Sequence, residues 1–167
     1  MAVSGARQAA QERPGLSARQ LAALRGASFG ALVMLVVQVA IGTAVNLYVT
    51  VPAADKGSGV LTAVGRALTK GPAALAVHAG LGLLLILAAA GLVVRALQAR
   101  HTAVLMLSVV GLLAIVAAAV SGARFVSAEA GSASLAMALS TAVGLLCYAI
   151  SLFVLGSTTP GAGEGTG

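Results

Sequence analysis

The sequence predicts an all-α fold: a four-helix transmembrane bundle with a short amphipathic helix in the first outer loop. Of the 167 residues, 59% are hydrophobic and only 8% are charged, whereas soluble domains carry about 25% charged residues. The charged residues leave four gaps, each long enough for the roughly 20 residues of one membrane-spanning helix. These gaps are residues 26–54, 71–94, 102–123 and 130–163.

The four gaps define one membrane domain over residues 16–156. The apolar runs in it are continuous, whereas strands of a transmembrane barrel alternate in polarity. Helices also satisfy their own backbone hydrogen bonds in lipid. The tails, residues 1–15 and 157–167, are rich in small and polar residues and are predicted to be disordered. The spans are placed at about residues 28–49, 73–97, 102–123 and 134–156.

Basic residues near the span ends predict the orientation, because cytoplasmic loops carry an excess of Arg and Lys. Six basic residues lie on the side of the N-terminus and four on the other side, so both termini are predicted to be cytoplasmic. The six are Arg7, Arg13, Arg19, Arg25, Arg95 and Arg100, and the four are Lys56, Arg66, Lys70 and Arg124.

The net charge of +6 could indicate a nucleic-acid-binding protein, but its placement argues against that class. The basic residues flank the spans, where they meet anionic lipid headgroups, and they are not interleaved with base-stacking aromatic residues. We therefore expect membrane lipids as partners and no nucleic acid. Arg outnumbers Lys by eight to two, which is typical of a high-GC bacterial genome and predicts a location in the bacterial plasma membrane.

Two segments outside the spans have helix signals. Ser17 and Gln20 have the spacing of a capping box, which predicts a short helix on the inner membrane surface ahead of the first span. In the outer loop, Ser58 could cap a helix from Gly59 that stops at Gly71. Its apolar residues would rest on the outer membrane surface or cover the mouth of the bundle; they are Val60, Leu61, Val64 and Leu68.

The few polar residues inside the spans form a predicted intramembrane layer. Gln38, Gly42 and Asn46 recur every four residues and share one helix face, which must point into protein rather than lipid. His78 lies about as far from the outer end of the second span as Asn46 does from that of the first, so we expect these two side chains to hydrogen-bond. The layer comprises Gln38, Asn46, His78 and Thr141.

Polar residues inside a membrane either hydrogen-bond between helices, which is the expected role of Gln38 and Asn46, or mark functional sites. For His78 both a structural hydrogen bond and cofactor binding are considered. His78 and Met137 are the candidate cofactor-binding residues; haem b could be held by this pair, or by two copies of His78 across a dimer. His101 lies in a solvated loop at the opposite end and is expected to be inert. Cys147 is alone in the chain. We predict no catalytic residues and no metal-ion site.

The order of Gln38, Gly42 and then His78 at the start of the next span resembles one four-helix half of haem A synthase, over about residues 30–155. The resemblance implies haem held between histidines on paired helices. Only His78 matches that pattern. The fourth span has Met137, Ser140 and Thr141 where the family has its second histidine.

Two interpretations follow from the sequence. In the first, the chain is a small accessory or structural membrane protein without a cofactor, and other membrane subunits or a second copy of the chain are further candidate partners. The alternative is a redox module that binds haem b or a quinone, centred on His78. A visible absorption spectrum separates haem binding from the first interpretation.

Overall fold

Five helices make up the described part of the chain. The structure is a computed structural model that describes residues 16–48, 59–128 and 131–157, and no strand occurs among these residues. Four of the helices are long and apolar enough to cross a membrane, so the predicted fold class is confirmed. The helices are α1 (Ala18–Tyr48), α2 (Val60–Thr69), α3 (Ala73–Gln98), α4 (Thr102–Ala128) and α5 (Gly131–Ser157).

The start of α1 confirms the capping box. The Gln20 amide donates to Ser17 Oγ over 3.2 Å, and the Ser17 amide donates to Gln20 Oε1 over 3.1 Å. A separate short helix before the first span was wrongly predicted, because α1 continues without a break to Tyr48. Gly26 alone weakens a helix by only about 1 kcal/mol, and Leu24, buried in the core, holds this part of the helix against the bundle.

Other predictions concern the ends of helices and the tails. Helix α5 includes Ser157, which the sequence had placed in the C-terminal tail. Helix α2 begins at Val60 and ends at Thr69, close to the predicted limits. The predictions for residues 1–15, for the Ser58 cap and for residues 158–167 lie outside the described residues.

The four long helices form a ring in which α1 and α4 are diagonal. Helix α1 packs against α3 and α5, and α4 packs against the same two helices. Successive long helices run in opposite directions, so α1 ends where α3 begins. Helix α2 packs against α3 and α4 at this end of the bundle, which we call the α2 end.

The core fills the half of the bundle away from the α2 end. Its centre is Tyr148, the largest fully buried side chain. A Cβ atom on Gly111 would lie 2.9 Å from Tyr148 Cζ, so the glycine makes room for this ring. Ser108 and Ser151 are also buried, and their hydroxyls donate to carbonyls four residues earlier in their own helices, over 2.7 and 2.9 Å.

Two polar contacts close the end of the bundle opposite α2. Arg25 donates to the backbone oxygen of Leu155 over 2.6 Å, which satisfies a carbonyl that the last turn of α5 leaves without a helical partner. Arg100 has a left-handed backbone with φ 51°. In this conformation the His101 amide donates back to the Ala96 oxygen over 3.3 Å, so that α3 ends and α4 begins within three residues.

Candidate ligand-binding cavity

A cavity of about 530 Å³ lies among the helices at the α2 end. This volume is within the range of small-molecule sites, about 300–1,000 Å³. All five helices contribute to its wall, which is largely apolar, and no charged side chain is among the described residues that line it. Its polar side chains and its methionine are Gln38, Thr43, Asn46, His78, Ser134, Thr141 and Met137.

The cavity arises because the buried stripe of α1 stops halfway along the helix. From Leu24 to Leu35, buried residues follow one another at spacings of three or four. The same face continues with Gln38, Gly42 and Asn46, but these residues line the cavity instead of contacting a packed core. The polar face predicted from the sequence is therefore the α1 wall of this cavity.

Two glycines let α1 and α3 interlock beside the cavity. Gln38 Nε2 donates to the backbone oxygen of His78 over 2.8 Å, and a Cβ atom on Gly82 would lie 3.1 Å from that nitrogen. In return, the His78 ring lies against Gly42, where a Cβ atom would come within 2.9 Å of the ring Cε1. Thus one polar side chain of each helix packs against a glycine of the other helix.

On the opposite wall, Met137 of α5 lies against α4. A Cβ atom on Gly122 would be 3.2 Å from Met137 Sδ. Thr141 donates its hydroxyl hydrogen to the Met137 carbonyl over 2.8 Å, and Thr43 donates to the Val39 carbonyl over 2.9 Å. The hydroxyl hydrogens of both threonines are donated within their own helices, so toward a ligand these hydroxyls can only accept hydrogen bonds.

His78 and Asn46 are the polar side chains best placed to bind a ligand. His78 lines the cavity, and its Nδ1 is buried without a hydrogen-bond partner among the described residues. Asn46 is exposed at the cavity wall, and the described residues include no partner for its amide. Buried Gln38 Oε1 also lacks a partner there.

The predicted hydrogen bond between Asn46 and His78 is not found among the described residues. Both side chains line the cavity, but the imidazole lies level with Gly42, one helical turn from Asn46. One turn is about 5.4 Å along the axis, and counting residues from uncertain span ends could not resolve that difference.

Helix α2 covers the mouth of the bundle, one of the two positions that the sequence left open. Ala63 and Ala67 are buried and line the cavity, whereas Leu61 is 88% exposed. Of the face predicted from the sequence, Val64 lines the cavity and Leu68 lies near Gly80, but Leu61 points away and the small alanines are on the inside instead.

The remaining predicted residues do not join the cavity wall. Ser140 of α5 is only partly buried and is not among the lining residues. His101 is at the other end of the bundle, where its Nδ1 accepts the Val104 amide hydrogen over 3.4 Å at the start of α4. Among the described residues, no three His, Cys, Asp or Glu side chains are grouped in a way that could hold a metal ion.

The chain matches no protein-family model, no curated protein and no solved structure. The resemblance to haem A synthase therefore stays an expectation from sequence, and the class of the protein is defined by its four apolar helices and its cavity.

The polar contacts of the cavity predict unequal effects of substitution. Replacing Gln38 by Leu should destabilise the detergent-solubilised protein by about 1 kcal/mol, because a partly buried hydrogen bond between helices is lost. Replacing Asn46 by Leu should leave the thermal midpoint nearly unchanged, because this amide has no partner to lose among the described residues. Equal losses in the two variants would contradict this assignment of the contacts.

Proposed function

We propose that this chain is a small accessory protein of the bacterial plasma membrane that holds a neutral, lipid-soluble ligand of the quinone class. The observation that carries the proposal is the cavity at the α2 end, whose wall combines an uncharged apolar surface with His78 and Asn46. Such a wall disfavours charged ligands, since a charge taken from water into it would have no partner. The binding would be accessory rather than catalytic, since the described residues of the wall include no paired acid and base.

The chemistry of a quinone suits the groups that the cavity leaves free. A quinone ring is flat, apolar and uncharged, and its carbonyl oxygens accept hydrogen bonds. A neutral imidazole has one N–H donor and an amide has two, so His78 and Asn46 can supply the hydrogen bonds. Apolar side chains would contact the ring faces; those in the wall include Leu35, Ile86, Ile115 and Leu145.

Haem b, the other ligand considered, is supported less well. Haem carries two carboxylate groups, and no basic side chain is among the described residues of the cavity wall. A histidine that ligates a metal also almost always donates its second ring nitrogen to an oxygen, whereas His78 Nδ1 has no such partner among the described residues. A purely structural role, with lipid chains filling the cavity, is the remaining alternative.

The proposed location and partners rest on charge. The excess of basic residues on the side of the N-terminus supports cytoplasmic termini, and the high share of Arg supports a bacterial source. The long helices bear many exposed apolar side chains, which supports contact with membrane lipids. Other membrane subunits or a second copy of the chain are further candidate partners, and nucleic acid is not.

The orientation has a direct test. A reporter fused to the C-terminus is expected to be active only as a cytoplasmic reporter, and one inserted near Gly57 only as an external one, because the six basic residues hold their side in the cytoplasm. The reverse pattern, or an external C-terminus together with an external loop, would refute the proposed topology.

The ligand has its own test, with matched variants on α4. Ala118 lines the cavity, whereas its neighbour Ala117 is exposed and does not. Protein purified in mild detergent is extracted and its lipids are identified by mass spectrometry. Wild type and Ala117→Phe should retain quinone, and Ala118→Phe should retain at least about tenfold less, equivalent to 1.4 kcal/mol of binding free energy.

The possible results separate the candidate functions. Quinone no more abundant in wild type than in Ala118→Phe would overturn the proposal. A Soret band with sharp bands on reduction would favour haem b instead. Retention of phospholipid alone, together with a featureless visible spectrum, would favour the structural role.

A further inference from the structure

We propose that the cavity opens sideways into the bilayer between α1 and α5, and that the ligand is a lipid whose hydrocarbon chain lies in this opening. The inference rests on the proposed function for the head of the ligand, but it concerns the tail and the route of entry. It follows from which pairs of neighbouring helices are closed at the α2 end and which pair is not.

Two of the four seams between neighbouring helices are closed there, and α2 covers the end of a third. The seam between α1 and α3 is closed where His78 lies against Gly42 and Gln38 lies against Gly82. The seam between α4 and α5 is closed where Met137 lies against Gly122. Helix α2 packs on both α3 and α4 and covers the end of the third seam, where its Ala63 and Ala67 are buried; deeper in this seam, Leu83 and Ala119 line the cavity and are exposed.

The fourth seam lies between α1 and α5. Contacts among the described residues close it only in the half of the bundle away from the α2 end. There Arg25 donates to the Leu155 oxygen, and a Cβ atom on Gly144 would lie 3.5 Å from Leu35 Cδ1. Toward the α2 end, four residues of this seam both line the cavity and are exposed on the surface. They are Val39 and Thr43 on α1, and Ala138 and Ala142 on α5.

Helix geometry places these α1 residues on the side of α5. Thr43 follows Arg25 by 18 residues, which is five full turns at 3.6 residues per turn. The two residues therefore project in the same direction, and the Arg25 side chain reaches α5. Val39 and Thr43 each come one position after a residue that faces α3. The direction of each side chain is therefore rotated by about 100° from α3 around the helix axis.

The opening lies at the depth of lipid chains rather than of water. Thr43 and Val39 are five and nine residues before the end of α1 at Tyr48, about 8 and 14 Å along the axis at 1.5 Å per residue. A ligand that enters there comes from the hydrocarbon layer, and a cavity of about 530 Å³ holds a ring but not a long chain as well. The chain would therefore remain in the seam.

The test compares two ligands and two double variants in nanodiscs of phosphatidylcholine. The ligands are a long-chain isoprenoid quinone and its ring without the chain. The seam variant is Thr43→Phe with Ala138→Phe. The matched control is Val37→Phe with Ala136→Phe on the same two helices, where both residues are exposed and neither lines the cavity. Binding is measured by the rise of the thermal midpoint with ligand concentration.

We expect the wild type and the control to bind the long-chain quinone more tightly than the bare ring. The seam variant should lose at least about tenfold in affinity for the long-chain quinone and keep its affinity for the ring. Equal affinities of wild type for the two ligands, or an equal loss of both in the seam variant, would overturn the lateral opening and leave quinone binding standing. Failure of wild type to bind either ligand would instead refute the proposed function.

Discussion

Replacing Gly111 by leucine is expected to destabilise the protein by about 3 kcal/mol, the upper end of the usual cost of overpacking. A Cβ atom at this position would lie 2.9 Å from Tyr148 Cζ and 3.0 Å from its hydroxyl oxygen. Tyr148 is fully buried, so its ring cannot move aside without disturbing α4 and α5. The measurement is thermal or denaturant unfolding in detergent.

Gly91→Leu is the matched control for this substitution. Nothing lies within 4 Å of a Cβ atom at Gly91, and leucine is a better helix former than glycine by up to about 1 kcal/mol, so this variant should be as stable as wild type or slightly more so. Tyr148→Phe should also be nearly neutral, because the hydroxyl it removes has no partner among the described residues. Comparable losses of stability in Gly111→Leu and Gly91→Leu would show that the contact with Tyr148 is not the cause of the destabilisation.

Replacing Ala67 by glutamate should detach α2 from the bundle. Ala67 is buried on the face of α2 that lines the cavity, and a carboxylate there would lack a partner, at a cost of several kcal/mol. Release of the helix is the cheaper outcome. Trypsin cleavage at Lys70, next to α2, should then become at least about tenfold faster, as expected when the population of the open state controls the rate.

The control for this prediction is Leu61→Glu on the same helix. Leu61 is 88% exposed, so in detergent a charge there should leave α2 attached and trypsin cleavage unchanged. Faster cleavage of Leu61→Glu than of Ala67→Glu would mean that α2 packs through Leu61, and not through its alanines.

Much of the fold could be predicted because lipid imposes simple constraints. A charge within a span is costly, so the gaps between charged residues revealed four helices. The Ser17 capping box could be predicted because it forms between residues that are close together in the sequence. Gln38, Asn46, His78 and Thr141, predicted as one layer, all line the cavity, because a helix rises by a fixed 1.5 Å per residue and depth can be counted.

The features that the sequence did not reveal depend on the direction in which a side chain points. In a membrane the surface and the interior of a bundle are equally apolar, so hydropathy does not show which face of a helix meets its neighbour. The buried position of Tyr148 and the inward alanines of α2 were missed for this reason. Small residues such as Gly111 were visible, but nothing in the sequence paired them with a particular ring.

Helix α1 is held unequally along its 31 residues. One half is anchored by Arg25 and by core contacts with Leu35, and the other half is held to α3 through Gln38 but lines the cavity on its side toward α5. Backbone amides of α1 should therefore differ in protection from deuterium exchange, with opening free energies that fall toward Tyr48.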